Sequence, residues 1–133
     1  MAVSGWIVDK SALARENDPV VSDQLIELAE ILYICPVGEL ELLYSARSAR
    51  DYDARQMYLH DTLRTATPPP DIFERALRLQ RDLAHHHGTW HRIPIPDLLI
   101  AETAIHHDLG VLHVDGDFAR IAEVRPLVVR RLG

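Results

Sequence analysis

The chain has 133 residues, 47% of them hydrophobic and 26% charged, enough apolar material for one domain with its own core and too much for an intrinsically disordered chain. A formal charge of −6 argues against a general nucleic-acid coat, whose footprint would be basic. The lone Cys35 excludes an internal disulfide, no charged-then-apolar leader opens the chain, and no apolar run approaches the ~20 residues of a membrane span. A cytoplasmic protein is expected.

In chain order, Trp6-Ile7-Val8 reads as a first, central strand that delivers Asp9 to the sheet's carboxyl edge, with Ser11 starting a helical turn. Asp18-Pro19 opens a helix with a good cap and a first-position proline, and Leu25, Leu28, Ala29 and Leu32 give it an apolar stripe. Tyr33-Ile34-Cys35 is a second short strand closed by Pro36, and a helix over residues 37–50 follows, carrying Glu39 and Glu41. Residues 51–63 form another helix and Thr65-Ala66-Thr67 a strand, ended by the linker-like Pro68-Pro69-Pro70. Asp71 and Glu74 resemble a capping box, opening a helix with Phe73, Ala76, Leu77, Leu83 and Ala84 on one face, stopped by His85-His86-His87-Gly88.

The most informative stretch is residues 95–118. Asp97 is placed as the N-cap of a helix whose Leu98, Leu99, Ala101, Ile105 and Leu109 recur at helical spacing, with Gly110 as its left-handed stop. Val111-Leu112-His113-Val114 is a buried strand, and Asp115-Gly116-Asp117 follows it directly. A short helix over residues 119–124 and a last strand, Leu127-Val128-Val129, complete the chain. Strands with apolar cores alternating with helices predict an α/β fold, a parallel sheet covered on both faces.

This reading gathers Asp9, Glu39 or Glu41, Asp97, Asp115 and Asp117 on one edge. Singly, each has an ordinary explanation as a cap, a turn residue or a solvated charge. Together they would repel, by ~4 kcal/mol per close pair near a protein surface, unless a cation held them. Oxygen-only ligands favour Mg²⁺ or Mn²⁺ over Zn²⁺. Glu39 and Glu41 point about 200° apart on a helix, so one site cannot use both. The histidine runs at residues 85–87 and 106–107, with His91, lack a cysteine pair and suit helix C-termini without a metal. Lys10 is the only lysine and is expected to point away from Asp9, while all but one of the 14 basic residues are arginine, suited to phosphate contact although composition bias is the better explanation.

The chain resembles a PIN-domain ribonuclease, specifically a VapC-type toxin of a bacterial toxin–antitoxin pair. Ile7-Val8-Asp9-Lys10-Ser11-Ala12-Leu13 looks like that family's opening strand with its Asp-x-Ser/Thr turn, and Leu40-Glu41-Leu42-Leu43-Tyr44-Ser45-Ala46-Arg47 like its glutamate helix. Pro96-Asp97-Leu98-Leu99-Ile100-Ala101 and His113-Val114-Asp115-Gly116-Asp117-Phe118 look like the third and fourth acidic motifs. No motif is specific alone; four in order at one domain's length are.

The resemblance implies a single PIN-like domain over residues 1–133, with a three-layer α/β/α fold around a short, mostly parallel sheet. It implies a Mg²⁺-dependent (or Mn²⁺-dependent) endoribonuclease that inhibits translation or growth, with Asp9, Glu41, Asp97 and Asp115 as catalytic acids and Asp117 as a further metal ligand. Glu41 is favoured over Glu39 by its Leu-Leu-Tyr neighbours, with Glu39 held in reserve. Ser11 and His113 are supporting candidates, His113 standing where many relatives carry a hydroxyl residue. Arg47, Arg50 and Arg92 adjoin acidic motifs and are candidates for RNA contact. Implied partners are an RNA substrate, a cognate VapB-type antitoxin in a heteromeric complex, and a second copy of the chain as a homodimer. Two rivals are another Mg²⁺-dependent phosphoester hydrolase and a non-catalytic PIN-like protein-binding module. A receiver domain would want a late lysine, and a haloacid-type phosphatase Asp-x-Asp at the first strand, where position 11 is Ser.

Overall fold

Short strands of two to four residues make the central sheet, two of the inner ones, Trp6-Ile7-Val8 and Leu32-Tyr33-Ile34, being apolar triplets cut off by Asp9 and by Pro36. The computed structural model describes residues 3–114 and 116–133. Among these, β1 (Trp6–Val8), β2 (Leu32–Ile34), β3 (Arg64–Thr65), β4 (Gly110–His113) and β5 (Val129–Arg131) form one sheet in the order β3-β2-β1-β4-β5. Every pairing is parallel. Ile7 lies beside Val111 and Val8 beside Leu112. Because successive strand residues face opposite ways, Ile7 and Val111 enter one core while Val8 and Leu112 enter the other. Helices α5 (Ile72–His86), α6 (Ile95–His106) and α7 (Phe118–Ile121) cover the first face; α1 (Lys10–Leu13), α2 (Pro19–Glu27) and α4 (Ala49–Thr62) cover the second. Helix α3 (Pro36–Tyr44) packs on both α4 and α6 at the edge where β1 and β2 end. This is the expected three-layer α/β/α arrangement, with all strands parallel.

Local chemistry shifted several boundaries. The helix expected over residues 37–50 ends at Tyr44, because Ser48 adopts an extended backbone and accepts from the Asp51 N–H, capping α4 as a separate helix. Helix α2 stops at Glu27, and Leu32, expected in its stripe, opens β2. Asp71 makes no side-chain cap bond; its carboxylate takes Arg75 one turn along at 2.8 Å. On α5 the buried residues are Ile72, Ala76, Leu79 and Leu83, whereas Phe73 and Leu77 are exposed. Two stripes at helical spacing compete in that segment, and packing against α6 selects the one containing Leu79 and Leu83.

Gly110 does not cap α6. The left-handed residue there is Asp108 (φ 57°), and Gly110 is the first residue of β4. Glycine is needed for a different reason: a Cβ at position 110 would lie 2.5 Å from the Trp6 ring and 3.0 Å from the Val128 carbonyl oxygen. Close strand approach, not backbone sign, sets this residue. No helix among the described residues is long and apolar enough to cross a membrane.

Candidate active site

Asp9 leaves β1 at the carboxyl edge of the sheet and is 3% exposed. It caps α1: its Oδ2 accepts from the Ser11 N–H at 3.1 Å and from the Ser11 hydroxyl at 2.7 Å. Ser11 Oγ in turn accepts from the Val114 N–H at 3.1 Å, tying the end of β4 to the start of α1. One carboxylate oxygen is therefore locked in place, while Oδ1 is buried with no hydrogen-bond partner. An orphaned anionic oxygen is costly unless something positive is to meet it.

The other acids arrive from separate elements. Asp97 is not the N-cap of α6; that position is Pro94, and Asp97 sits in the first turn, its N–H donating to the Pro94 carbonyl at 3.0 Å. Its carboxylate is thus free of capping duty and faces a pocket of about 300 Å³ lined by Asp9, Lys10, Ser11, Glu41, Pro94, Asp97, Gly116 and Asp117. Burial, followed by repulsion from Asp9, Asp117 and Glu41, pushes the Asp97 carboxyl up to about 7, against a lowering contribution from the Asp117 backbone N–H. Gly116, at φ 155°, brings the chain close enough that an added Cβ would stand 4.0 Å from Asp97 Oδ2. Asp117 pairs with Arg120 at 3.4 Å.

Glu41 and Glu39 part company as helix geometry requires. Glu41 turns into the pocket, and its Oε1 is a second buried oxygen with no hydrogen-bond partner. Glu39, the reserve candidate, faces α4, where its oxygens lie 2.9 Å from His60 Nε2 and accept from Gln56 at 3.1 Å. It is a bridge between two helices and does not line the pocket.

Lys10 overturns its expected orientation. Its ammonium lies 2.7 Å from Glu41 Oε2, inside the ring of acids. The Glu41 hydrogen bond, opposed by partial desolvation and helped by the charges of Glu41, Asp9 and Asp97, raises its pKa above the usual lysine value. No local signal in the sequence marks this, because Glu41 belongs to a different helix.

His113 is buried, with its ring 5.6 Å from that of Phe118, and does not line the pocket. Asp115 lies outside the described residues. Arg47, Arg50 and Arg92 are on the surface and not in the pocket wall; the Arg47 N–H donates to Asp51. The histidine runs are engaged elsewhere, His86 and His87 against Trp90 and His107 on the Thr67 carbonyl at 2.6 Å.

Among the described residues, no three His, Cys, Asp or Glu side chains are arranged to share an ion as they stand. The donor chemistry nevertheless fits a hard divalent cation. The donors that converge beside Lys10 are carboxylate oxygens, two of them buried and orphaned, and one carboxyl is driven toward neutrality by burial and then by its neighbours.

The PIN domain family model matches residues 7–124. Ribonuclease VapC17 of Mycobacterium tuberculosis is 56% identical over 121 residues, covering 91% of this chain and 90% of the relative. The chain belongs to the PIN-domain family, in its VapC branch. Ribonuclease VapC21 of the same organism is 37% identical over 121 residues, covering 90% of this chain and 87% of the relative. Among solved structures, VapBC2 from Rickettsia felis, bound to a DNA fragment from its promoter, superposes with a TM-score of 0.74 at 15% identity, over 96% of this chain and 98% of that one. DNA-bound VapBC from Salmonella typhimurium gives 0.74 at 14% identity, over 96% and 97%. At such low identity these two speak for the PIN fold alone.

Proposed function

We propose that this PIN domain is a Mg²⁺- or Mn²⁺-dependent endoribonuclease and the toxin of a toxin–antitoxin pair, acting in the cytoplasm to stop translation or growth. The observation that carries the reading is the acidic pocket: carboxylates from four separate stretches of chain, with buried, unpartnered oxygens on Asp9 and Glu41. The ribonuclease names of its relatives support the substrate class.

Asp9, Glu41, Asp97 and Asp117 would hold the ion, with Asp115 as the fifth acid. A bound divalent cation supplies Lewis-acid neutralisation of the phosphate and a more acidic attacking water. Water adds to phosphorus as the P–O3′ bond breaks, leaving a 5′-phosphate and a 3′-hydroxyl. The chain's own share is geometry. Ser11 fixes the rotamer of Asp9 through two hydrogen bonds, so the carboxylate need not be ordered at the moment of reaction. No side-chain nucleophile is required. Arg47, Arg50 and Arg92 are assigned to the RNA backbone beyond the pocket.

The VapBC complexes among the structural neighbours support a VapB-type antitoxin as partner. Its surface is assigned to the groove between α2 and α4, lined by Leu13, Leu25 and Leu63, with Ile26 70% and Tyr58 51% exposed beside them. A homodimer is part of the same proposal.

The test is cleavage of a total small-RNA pool with Mg²⁺ or Mn²⁺, with EDTA, Asp9→Asn and Asp97→Asn as controls. Discrete fragments that disappear with chelation and with either substitution are expected. Absence of metal-dependent cleavage by folded, antitoxin-free protein would favour a non-catalytic binding module.

A further inference from the structure

Lys10 is the only lysine of the chain, and it lies where the acids converge. Its Nζ is 2.7 Å from Glu41 Oε2, and it lines the same pocket as Asp9, Asp97 and Asp117. In the wall of this pocket, Asp9 Oδ1 and Glu41 Oε1 are buried without hydrogen-bond partners, and Asp9 as a whole is only 3% exposed. An ion that used the Glu41 carboxylate would have to compete with the ammonium already on it. The Lys10 side chain is 54% exposed, against 18% for Glu41, so the lysine can swing into solvent while the glutamate stays.

We propose that Lys10 is a tethered counter-cation that occupies the divalent ion's place in the ion-free protein and is displaced from Glu41 when the ion enters. This rests on the metal-nuclease reading and adds a regulatory element to it. A covalently attached positive charge keeps the acids from splaying apart, and it raises the divalent-ion concentration at which the site loads.

The experiment is calorimetric titration of the full, antitoxin-free chain with Mn²⁺, together with the Mn²⁺-induced rise in melting temperature. It compares the unsubstituted protein with Lys10→Met, Lys10→Gln and Lys10→Arg. Losing a half-exposed ion pair that opposes the metal should tighten Mn²⁺ binding roughly five- to tenfold in Lys10→Met and Lys10→Gln. Both should melt lower in EDTA and gain more from Mn²⁺ than the unsubstituted chain. Lys10→Arg, which keeps the charge, should remain within about twofold. Two neutral variants guard against a folding defect peculiar to one of them. Equal Mn²⁺ affinity in all four proteins, or weaker binding by the neutral variants, would overturn the role of Lys10 and leave the metal site standing. Failure of every protein to bind Mn²⁺ would overturn both.

Discussion

Replacing Asp97 by Asn should stabilise the ion-free protein while abolishing its activity, because the site holds like charges together at the expense of the fold. The Asp97 carboxyl rises from 3.8 to about 7, first through burial and then through Asp9, Asp117 and Glu41. At about 1.4 kcal/mol per pH unit this sets a ceiling of about 4 kcal/mol. The pocket is open to solvent, which screens part of that cost, so about 1–2 kcal/mol is the expected effect. The sign follows from proton binding. Below about pH 4 the carboxyl is protonated in both states and contributes nothing. Between about pH 4 and 7 the unfolded chain releases the proton while the folded protein retains it, so stability falls as pH rises; above 7 the penalty is constant. Asparagine cannot ionise, and its amide oxygen can still accept from the Asp117 N–H. Urea unfolding in EDTA should therefore show Asp97→Asn more stable than the unsubstituted chain by about 1–2 kcal/mol at pH 8 and nearly equal to it near pH 4. A variant that is less stable at both pH values, or equally advantaged at both, would refute the argument that electrostatic crowding sets this carboxyl.

Ser11→Ala removes the hydroxyl bond to Asp9 and the acceptor of the Val114 N–H; the backbone bond from the residue 11 N–H survives, so a loss of about 1–2 kcal/mol is expected in denaturant unfolding, with a marked fall in RNA cleavage. Gly110→Ala drives a methyl group into the Trp6 ring and toward the Val128 carbonyl and should cost about 1–3 kcal/mol, whereas Gly88→Ala, at φ 49° with open space around it, should cost nearer 1 kcal/mol, as read from the two melting curves. Arg125→Ala leaves the buried Glu102 without its ion-pair partner at 3.4 Å. Burial already raises the Glu102 carboxyl, so the loss, about 2–3 kcal/mol at pH 8, should shrink as the pH is lowered and the acid takes up its proton. Glu39→Gln, which touches only the link to His60 and Gln56, should leave cleavage intact where Glu41→Gln removes it.

The sequence alone determined the class of fold and the set of acids. Apolar triplets such as Trp6-Ile7-Val8 are too short for helices and too hydrophobic for loops, and each is cut off within a residue or two by a charge or a proline. Alternation of such strands with longer segments leaves little besides a parallel sheet covered on both faces. The motif order likewise marked Asp9, Glu41, Asp97 and Asp117, which the pocket contains, while Asp115 lies outside the described residues.

What periodicity could not decide was anything fixed by a partner distant in the chain. On α5, Phe73 and Leu77 fit a helical stripe as well as Leu79 does, and only α6 buries one of them rather than the other. Gly110 reads as a helix stop until Trp6, more than a hundred residues away in sequence, is seen lying across it. Asp97 reads as a cap until Pro94 takes that position and leaves the carboxylate to the pocket. Lys10 reads as a solvent-facing neighbour of Asp9 until Glu41, on a separate helix, draws its ammonium in. Local propensity is a property of the segment and is written in it. The direction of a long side chain, and the charge that a carboxylate carries, are settled by fields and contacts that exist only once the segments have met.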